Sequence, residues 1–307
     1  MRNRLMLILL GAVLIGAFAT CKRKPAANFN EAAASESVQF VSDESFAPIL
    51  DQELYVFRST HPNAKTEIIY RSEEETFKLL LNDSARFAFI SRDLNAGERK
   101  TLKEHNLATN TSKFAIDAIT IIVNEASTDT TISIGEIKKM LNGQAKTDKN
   151  IVFDNPNSSL VRYLKDFSGQ KEFKQKNIYA LKSNKEVIEY VSKHPDAIGI
   201  TGFSWLDDPD ADYADAAKKV KIVAVKDENS KTDPNQYFKP SQTTLALKQY
   251  PLTRELYIVN CLGSRKGLAA AFEHFIVTDV GQRIILRSGL LPVNIPAREI
   301  TTHSNKL

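Results

Sequence analysis

Two cysteines, Cys21 and Cys261, are all that the 307 residues contain. That scarcity excludes a Cys-rich zinc module, an iron–sulfur cluster and a multi-disulfide scaffold, each of which needs more thiolates or a C-x-x-C pair. Charge of one sign is also lacking. The 41 Lys and Arg stand against 37 Asp and Glu, a formal +4 spread evenly along the chain, so no footprint for nucleic acid forms. The five histidines, His61, His105, His194, His274 and His303, show no H-E-x-x-H spacing, and neither a Walker loop nor a G-x-G-x-x-G occurs. Gly202-Phe203-Ser204-Trp205-Leu206 opens like a nucleophile elbow, but Leu206 stands where the turn requires a second Gly. These absences point away from an enzyme, a cofactor and a metal centre.

Long apolar runs are scarce too, and the one present is at the start. Leu5 to Thr20 carries no charge, follows Arg2 and Arg4, and ends at Cys21-Lys22-Arg23-Lys24. It is shorter than the roughly 20 residues that a spanning helix needs, and small residues close it. Residues 1–20 are therefore expected to be a secretory signal peptide. Phe18-Ala19-Thr20-Cys21 resembles a bacterial lipoprotein box, which makes Cys21 the expected lipidation site and lipid anchor. Residues 21–37, rich in Ala, Asn, Ser and Glu, read as a flexible tether. With Cys21 lipidated, Cys261 reads as a buried, inert thiol in the apolar stretch Leu256 to Leu262. The expected place is outside the cytoplasm, at the bacterial cell envelope.

From residue 38 onward short apolar runs alternate with helical periodicity, the order of α/β architecture with largely parallel sheets. Strands are predicted at Val38–Val41, Thr66–Tyr70, Phe87–Ile90, Phe114–Val123, Ile151–Phe153, Ala197–Thr201, Val220–Val225 and Leu256–Val259. Helices are predicted at Pro48–Arg58, from Ser72 through Leu81, at Ser133–Leu141, from Ser158 or Ser159 onward, and at Lys185–Lys193, Leu268–Phe275 and Val280–Leu286. About 270 structured residues suit two lobes better than one. The stretches Phe114–Val123 and Leu245–Val259 are the candidates for the crossings between them.

Small hydroxyl and amide residues recur where strands run into helix starts: Ser42 to Phe46, Arg71-Ser72, Ser91-Arg92 and Asn157-Ser158-Ser159. Each alone is an ordinary N-cap. Several such ends facing one cleft can grip an oxyanion, because the first N–H groups of a helix lack partners and the helix dipole adds positive potential there.

Several longer segments are similar to those of one family. "SFAPIL", "RFAFISRDLNAGE", "AIDAITIIVN", "NPNSSLVRYLKDF", "DAIGITGF", "YPLTRELYI" and "GQRIILRSGLLPV" resemble the substrate-binding proteins of phosphate-type ABC importers, within the type 2 periplasmic binding protein superfamily. The resemblance runs from about Val38 to Ile300. It implies two lobes, each a mostly parallel sheet flanked by helices, joined by two crossing segments. Lobe 1 would hold residues 38–113 and 251–307, and lobe 2 residues 114–250.

Carried over by position, the resemblance gives Ser45 and Phe46 the first loop's donors, Ser72 the second helix end, and Ser91 with Arg92 the third. Asn157, Ser158 and Ser159 would come from the opposite lobe. Arg92 would supply the strongest charge-assisted hydrogen bond, on the order of 2–3 kcal/mol. Arg162 is either a charge partner or a surface arginine; Asp117 either accepts a proton from the solute or orders the hinge backbone. Three positions depart from the family: Ser158 and Ser159 where Gly and Thr are usual, Asp154 close to where relatives carry an anion-pairing Arg, and Glu73-Glu74-Glu75 at a proposed anion-binding helix end.

The implied function is capture of a small oxyanion, phosphate above others, by a monomer that hands it to an ABC permease. The alternatives are the same fold binding molybdate, sulfate or a phosphonate, and a surface lipoprotein that uses the fold for protein contacts without solute binding. For that last reading Trp205 and the acidic loop Asp207–Asp215 are the candidate interface.

Overall fold

The computed structural model describes residues 37–145, 147–263 and 266–295. The expected signal peptide, the lipidation site Cys21 and the tether up to residue 36 lie outside the described residues. Ser37, counted in the tether, begins the first strand, paired with Lys65.

The chain runs β1 (Ser37–Asp43), a 3-10 turn (Glu44–Phe46), α1 (Ala47–Thr60), β2 (Lys65–Arg71), α2 (Glu73–Leu81), β3 (Phe87–Ile90), α3 (Ala96–Glu104) and the long strand β4 (Asn110–Asn124). It continues through β5 (Thr131–Ser133), α4 (Ile134–Leu141), β6 (Asn150–Phe153), α5 (Ser159–Ser168), β7 (Ile178–Ala180), α6 (Asn184–Lys193), β8 (Ala197–Gly202), α7 (Ser204–Asp207) and α8 (Ala214–Ala217). After β9 (Val220–Ile222), β10 (Ala224–Lys226) and α9 (Gln242–Ala246) come β11 (Thr253–Asn260), α10 (Leu268–Val277), α11 (Asp279–Arg287) and β12 (Leu291–Pro292).

Strand β4 belongs to both lobes. Its first part pairs antiparallel with β11, and Ile119 to Val123 pair antiparallel with β8. The strand order β2-β1-β3-β11-β4-β8-β6-β7 places the parallel trio β2, β1 and β3 on one side of it and the parallel trio β8, β6 and β7 on the other. The fold is thus the two-lobed α/β architecture, with helices packed on each sheet.

The cores differ in kind. In lobe 1 Phe40, Phe57, Phe87, Phe89, Phe114 and Phe272 form one aromatic cluster, with Phe40 and Phe87 edge to face at 4.8 Å. Such pairing adds directional preference to the burial of area. In lobe 2 Ile121, Ile137, Ile151, Leu160, Leu164 and Ile200 make a largely aliphatic core. There α6 lies so close on β8 that a Cβ at Gly199 would meet Val191 Cγ2 at 2.7 Å and Ile122 Cγ1 at 2.8 Å.

Two predicted strands come out differently. Val220–Val225 divides at Val223, because β9 pairs with β4 whereas β10 joins β5 in a separate two-stranded sheet. Leu245 ends no long strand; it lies in the short helix α9, Lys248 adopts a left-handed turn (φ 55°), and Pro251, which lacks an N–H, keeps the ladder from starting before Thr253.

Candidate functional site

The ends of β1 and β6 and the start of β8's neighbour α6 meet at the centre of the molecule. β1 stops at Asp43 because its carboxylate caps the following turn, Oδ1 accepting from Ser45 N–H at 2.8 Å. Ser158 caps α5 in the same way, its Oγ accepting from Val161 N–H at 3.2 Å. These two local events bring the first turns of helical segments from opposite lobes face to face.

Five donors converge there, the Ser45 N–H among them, and each meets a carboxylate of the chain itself. The Ser159 N–H donates to Asp43 Oδ2 at 2.7 Å, so one carboxylate is shared between the turn of lobe 1 and the helix start of lobe 2. Ser158 Oγ donates to Asp154 Oδ1 at 2.6 Å, and Ser45 Oγ to Asp154 Oδ2 at 3.2 Å. Asn184 bridges further, its Nδ2 donating to Asp154 Oδ2 at 3.1 Å and to Glu44 Oε2 at 3.0 Å, while its Oδ1 accepts from Thr201 Oγ1 at 2.8 Å.

One guanidinium serves this cluster. Arg254 on β11 donates from Nε and Nη2 to Asp117 Oδ2 at 2.9 and 2.8 Å, and from Nη1 to Ser159 Oγ at 2.6 Å. It lies over the Phe46 ring, 4.9 Å from the centroid. A Cβ at Gly202 would come within 3.2 Å of Arg254 Nη2, so the bare strand end there gives the arginine room.

Burial has electrostatic consequences. Asp43 and Asp154 are each 1% exposed. Burial, with Asp43 beside it, pushes Asp154 up to about 8 against its bond from Ser158. Burial likewise lifts Asp43, reinforced by Glu73 and opposed by the Ser45 N–H and Arg254. Glu44 rises to about 7 by burial, against the bond from Asn184. A cavity of about 250 Å³ adjoins the cluster, lined by Asp43, Glu44, Asp154, Ser72, Ser158 and the cations Arg71 and Lys182 among others. A larger cavity, about 590 Å³, lies far from these helix starts, between Asn110, Asn260 and Glu273.

The remaining expected residues stand further out. Ser91 Oγ donates to Glu73 Oε1 at 2.5 Å and accepts from Arg162 Nη2 at 2.7 Å, and Arg162 Nε reaches Glu73 Oε2 at 2.6 Å. This links α5 of lobe 2 to α2 and β3 of lobe 1. Asn157 adds a backbone link, its carbonyl accepting from Glu74 N–H at 3.2 Å. Ser72 caps α2 in a capping box with Glu75. Arg92 turns toward its own lobe, bonded to Glu98 at 2.9 and 2.6 Å and stacked over Phe77.

Of the expected residues, Ser45, Phe46, Asp117, Ser158 and Ser159 are therefore brought together at the centre. Ser91, Arg162 and Asn157 form the outer contact, and Ser72 and Arg92 flank it. Sequence reasoning did not nominate Asp43, Asn184 or Arg254. Arg254 had a readable signal, since it shares the inward phase of β11 with the buried Leu252, Leu256 and Ile258, and a charge in an apolar phase needs a buried partner. Trp205 is 7% exposed and its Nε1 donates to the Ser45 carbonyl at 3.0 Å, so it belongs to the packing between lobes and offers no surface.

Comparison with known proteins agrees with this architecture. A family model described as a PBP superfamily domain matches residues 27–280. The chain is 26% identical over 224 residues to the phosphate-binding protein PstS of Staphylococcus haemolyticus, covering 69% of this chain and 66% of that one. To the phosphate-binding protein PstS of Staphylococcus aureus it is 27% identical over 251 residues, covering 77% of this chain and 72% of that one. Its fold is similar to a Clostridium perfringens structure described as a phosphate ABC transporter substrate-binding protein with bound phosphate, at a TM-score of 0.69 and 19% identity, covering 84% of this chain and 100% of that one.

Proposed function

The chain belongs to the PBP superfamily, and on that basis we propose that it is the extracytoplasmic solute-binding component of an ABC importer and captures a small oxyanion, phosphate above others. The relatives named phosphate-binding proteins support the choice of solute. One geometric observation carries the reading. The Ser45 and Ser159 N–H groups, from opposite lobes, hold a single carboxylate at 2.8 and 2.7 Å. Donors placed to grip the oxygens of a carboxylate are placed to grip those of phosphate, and only the approach of both lobes completes the set.

On this reading Ser45, Phe46, Ser158 and Ser159 contribute the inner donors, Asp117 holds Arg254 in place, and Ser72, Ser91, Arg92, Asn157 and Arg162 form the rim. Cys21 carries the lipid that keeps the protein at the membrane, beside the permease that receives the solute. Among the described residues no helix is long and apolar enough to cross a membrane.

Isothermal titration calorimetry of the mature chain with phosphate, sulfate and molybdate tests the proposal between pH 5.5 and 8. Phosphate is expected to bind more tightly than the other two. Preference for sulfate or molybdate moves the assignment to another oxyanion. Silence with all three selects the reading in which the fold serves protein contacts.

A further inference from the structure

The inner donors are not spare. Ser45 N–H and Ser159 N–H each carry one hydrogen, and each already makes a short bond to the same side chain, Asp43. One N–H does not make two such bonds at once. A solute oxygen that takes these donors must take them from Asp43.

We propose that Asp43 is an internal ligand of the capture site: its carboxylate joins the two lobes through the N–H groups that a solute oxyanion uses, so the solute displaces it and a proton enters with the solute. This rests on the reading of the cleft as an oxyanion site and names the residue that regulates it.

The charges around Asp43 explain the proton. Glu44 follows it in the 3-10 turn, Glu73 faces it from α2, and Asp154 faces it from the β6 end. Arg254 is the guanidinium within the cluster, and it is already engaged by Asp117 and Ser159. Arg71 and Lys182 line the adjoining cavity, with Glu75 beside them. Adding an anion to this dry, carboxylate-rich volume leaves the displaced Asp43 without its two donors and beside a new negative charge. Both changes favour its neutral form. Burial already lifts Asp43, as it lifts Asp154, and the loss of its two donors raises it further. The sign follows: the complex binds more protons than the free protein, and affinity falls as pH rises.

The test is calorimetry with inorganic phosphate at pH 7.5, on the mature chain and its Asp43→Asn variant, in two buffers of different ionisation enthalpy. The difference in proton uptake between the two proteins removes the contribution of phosphate itself. Wild type is expected to take up more protons than Asp43→Asn, and the variant to bind phosphate about tenfold more tightly, because the competing state is lost. Asp43→Ser, which keeps a short oxygen to cap the Ser45 N–H without the charge, should behave in the same way and guards against a misfolded asparagine variant. Wild-type binding with both variants equal or weaker and an unchanged proton count overturns the internal ligand while leaving oxyanion capture in place. Phosphate binding by the variants but not by wild type supports the internal ligand most strongly. No heat from any of the three proteins, at pH 5.5 as well as 7.5, overturns oxyanion capture itself.

Discussion

Two of the polar contacts between the lobes differ in their balance of charge. In the inner one, Asp43, Glu44, Asp117 and Asp154 share Arg254, whose side chain is 2% exposed. In the outer one, Arg162 of α5 reaches across to Glu73 and Ser91 with about 30% of its side chain in water, while the flanking pairs Arg92–Glu98 and Arg162–Asp166 each stay within one lobe. Water at the Arg162 guanidinium and one cation for one carboxylate make the outer pair the more replaceable of the two, although Glu73 itself is buried. The inner cluster has neither, so each charge there depends on a particular partner and on protons. The same chemical groups thus act as ordinary surface adhesion at the rim and as a tuned site at the centre.

The strongest way to break this distinction is to remove the inner cation. Arg254→Met leaves Asp117 buried without its guanidinium and Ser159 Oγ without its donor. It should destabilise the protein by about 3–5 kcal/mol, read as a fall in the urea midpoint at unchanged slope. A loss under about 1 kcal/mol would mean that the inner pair behaves like the rim.

Acidity tests the surplus of inner carboxyls. The unfolded chain releases the Asp154 proton near its ordinary 3.8, whereas the folded protein keeps it up to about 8. A raised carboxyl favours the folded state below the unfolded value, and that advantage is lost as pH climbs toward the folded one. Stability should therefore decline between about pH 4 and 8, by up to about 1.4 kcal/mol per pH unit for each such group. Asp154→Asn should flatten the decline. Stability that instead increases over that range would refute the assignment.

Glu53 extends the comparison to a carboxyl without any cation. It lies on the buried face of α1, both oxygens lack a hydrogen-bond partner among the described residues, and burial pushes it up to about 9. Glu53→Met keeps the volume and removes the unpaired group, so it should stabilise the fold by about 1–3 kcal/mol. Thermal unfolding at neutral pH reads this directly, and a drop in the midpoint would show that Glu53 has a partner in solution.

How much of this was legible beforehand depends on what each residue's signal was. The elements with clear periodicity were: Phe87–Ile90 is a strand over the stated residues, and Ser72 and Ser133 cap the helices they precede. The helix Ala96–Glu104 went unnamed because Leu102 is the one buried side chain on it, too little for an apolar stripe. The meeting of Ser45, Ser158 and Ser159 is what the family resemblance implies, and of the three only Ser158 announces itself locally as a cap. That Asp43 rather than open space lies between them was not legible, because an Asp before a turn reads as a cap and nothing local says that its second oxygen reaches another lobe. Long-range partners of a buried charge are set by the closing of the sheet, 116 positions away along the chain in this case.

The smallest effect is expected at Arg92, where the two views of the cleft differ most. Position along the family pattern gives Arg92 the strongest grip on the solute. Its guanidinium instead makes two bonds to Glu98 and lies 4.2 Å from the Phe77 centroid, all within lobe 1. Arg92→Ala should then lower stability by about 0.5–1 kcal/mol, from a partly exposed pair and a cation–π contact, and change phosphate affinity less than about threefold. An affinity loss of roughly 30- to 150-fold, the equivalent of 2–3 kcal/mol, would show that the arginine leaves Glu98 for the anion. Glu98→Ala separates the two further. If Arg92 stays at the rim, freeing it from Glu98 alters affinity little; if it swings inward, freeing it strengthens binding, and the rim becomes part of the site.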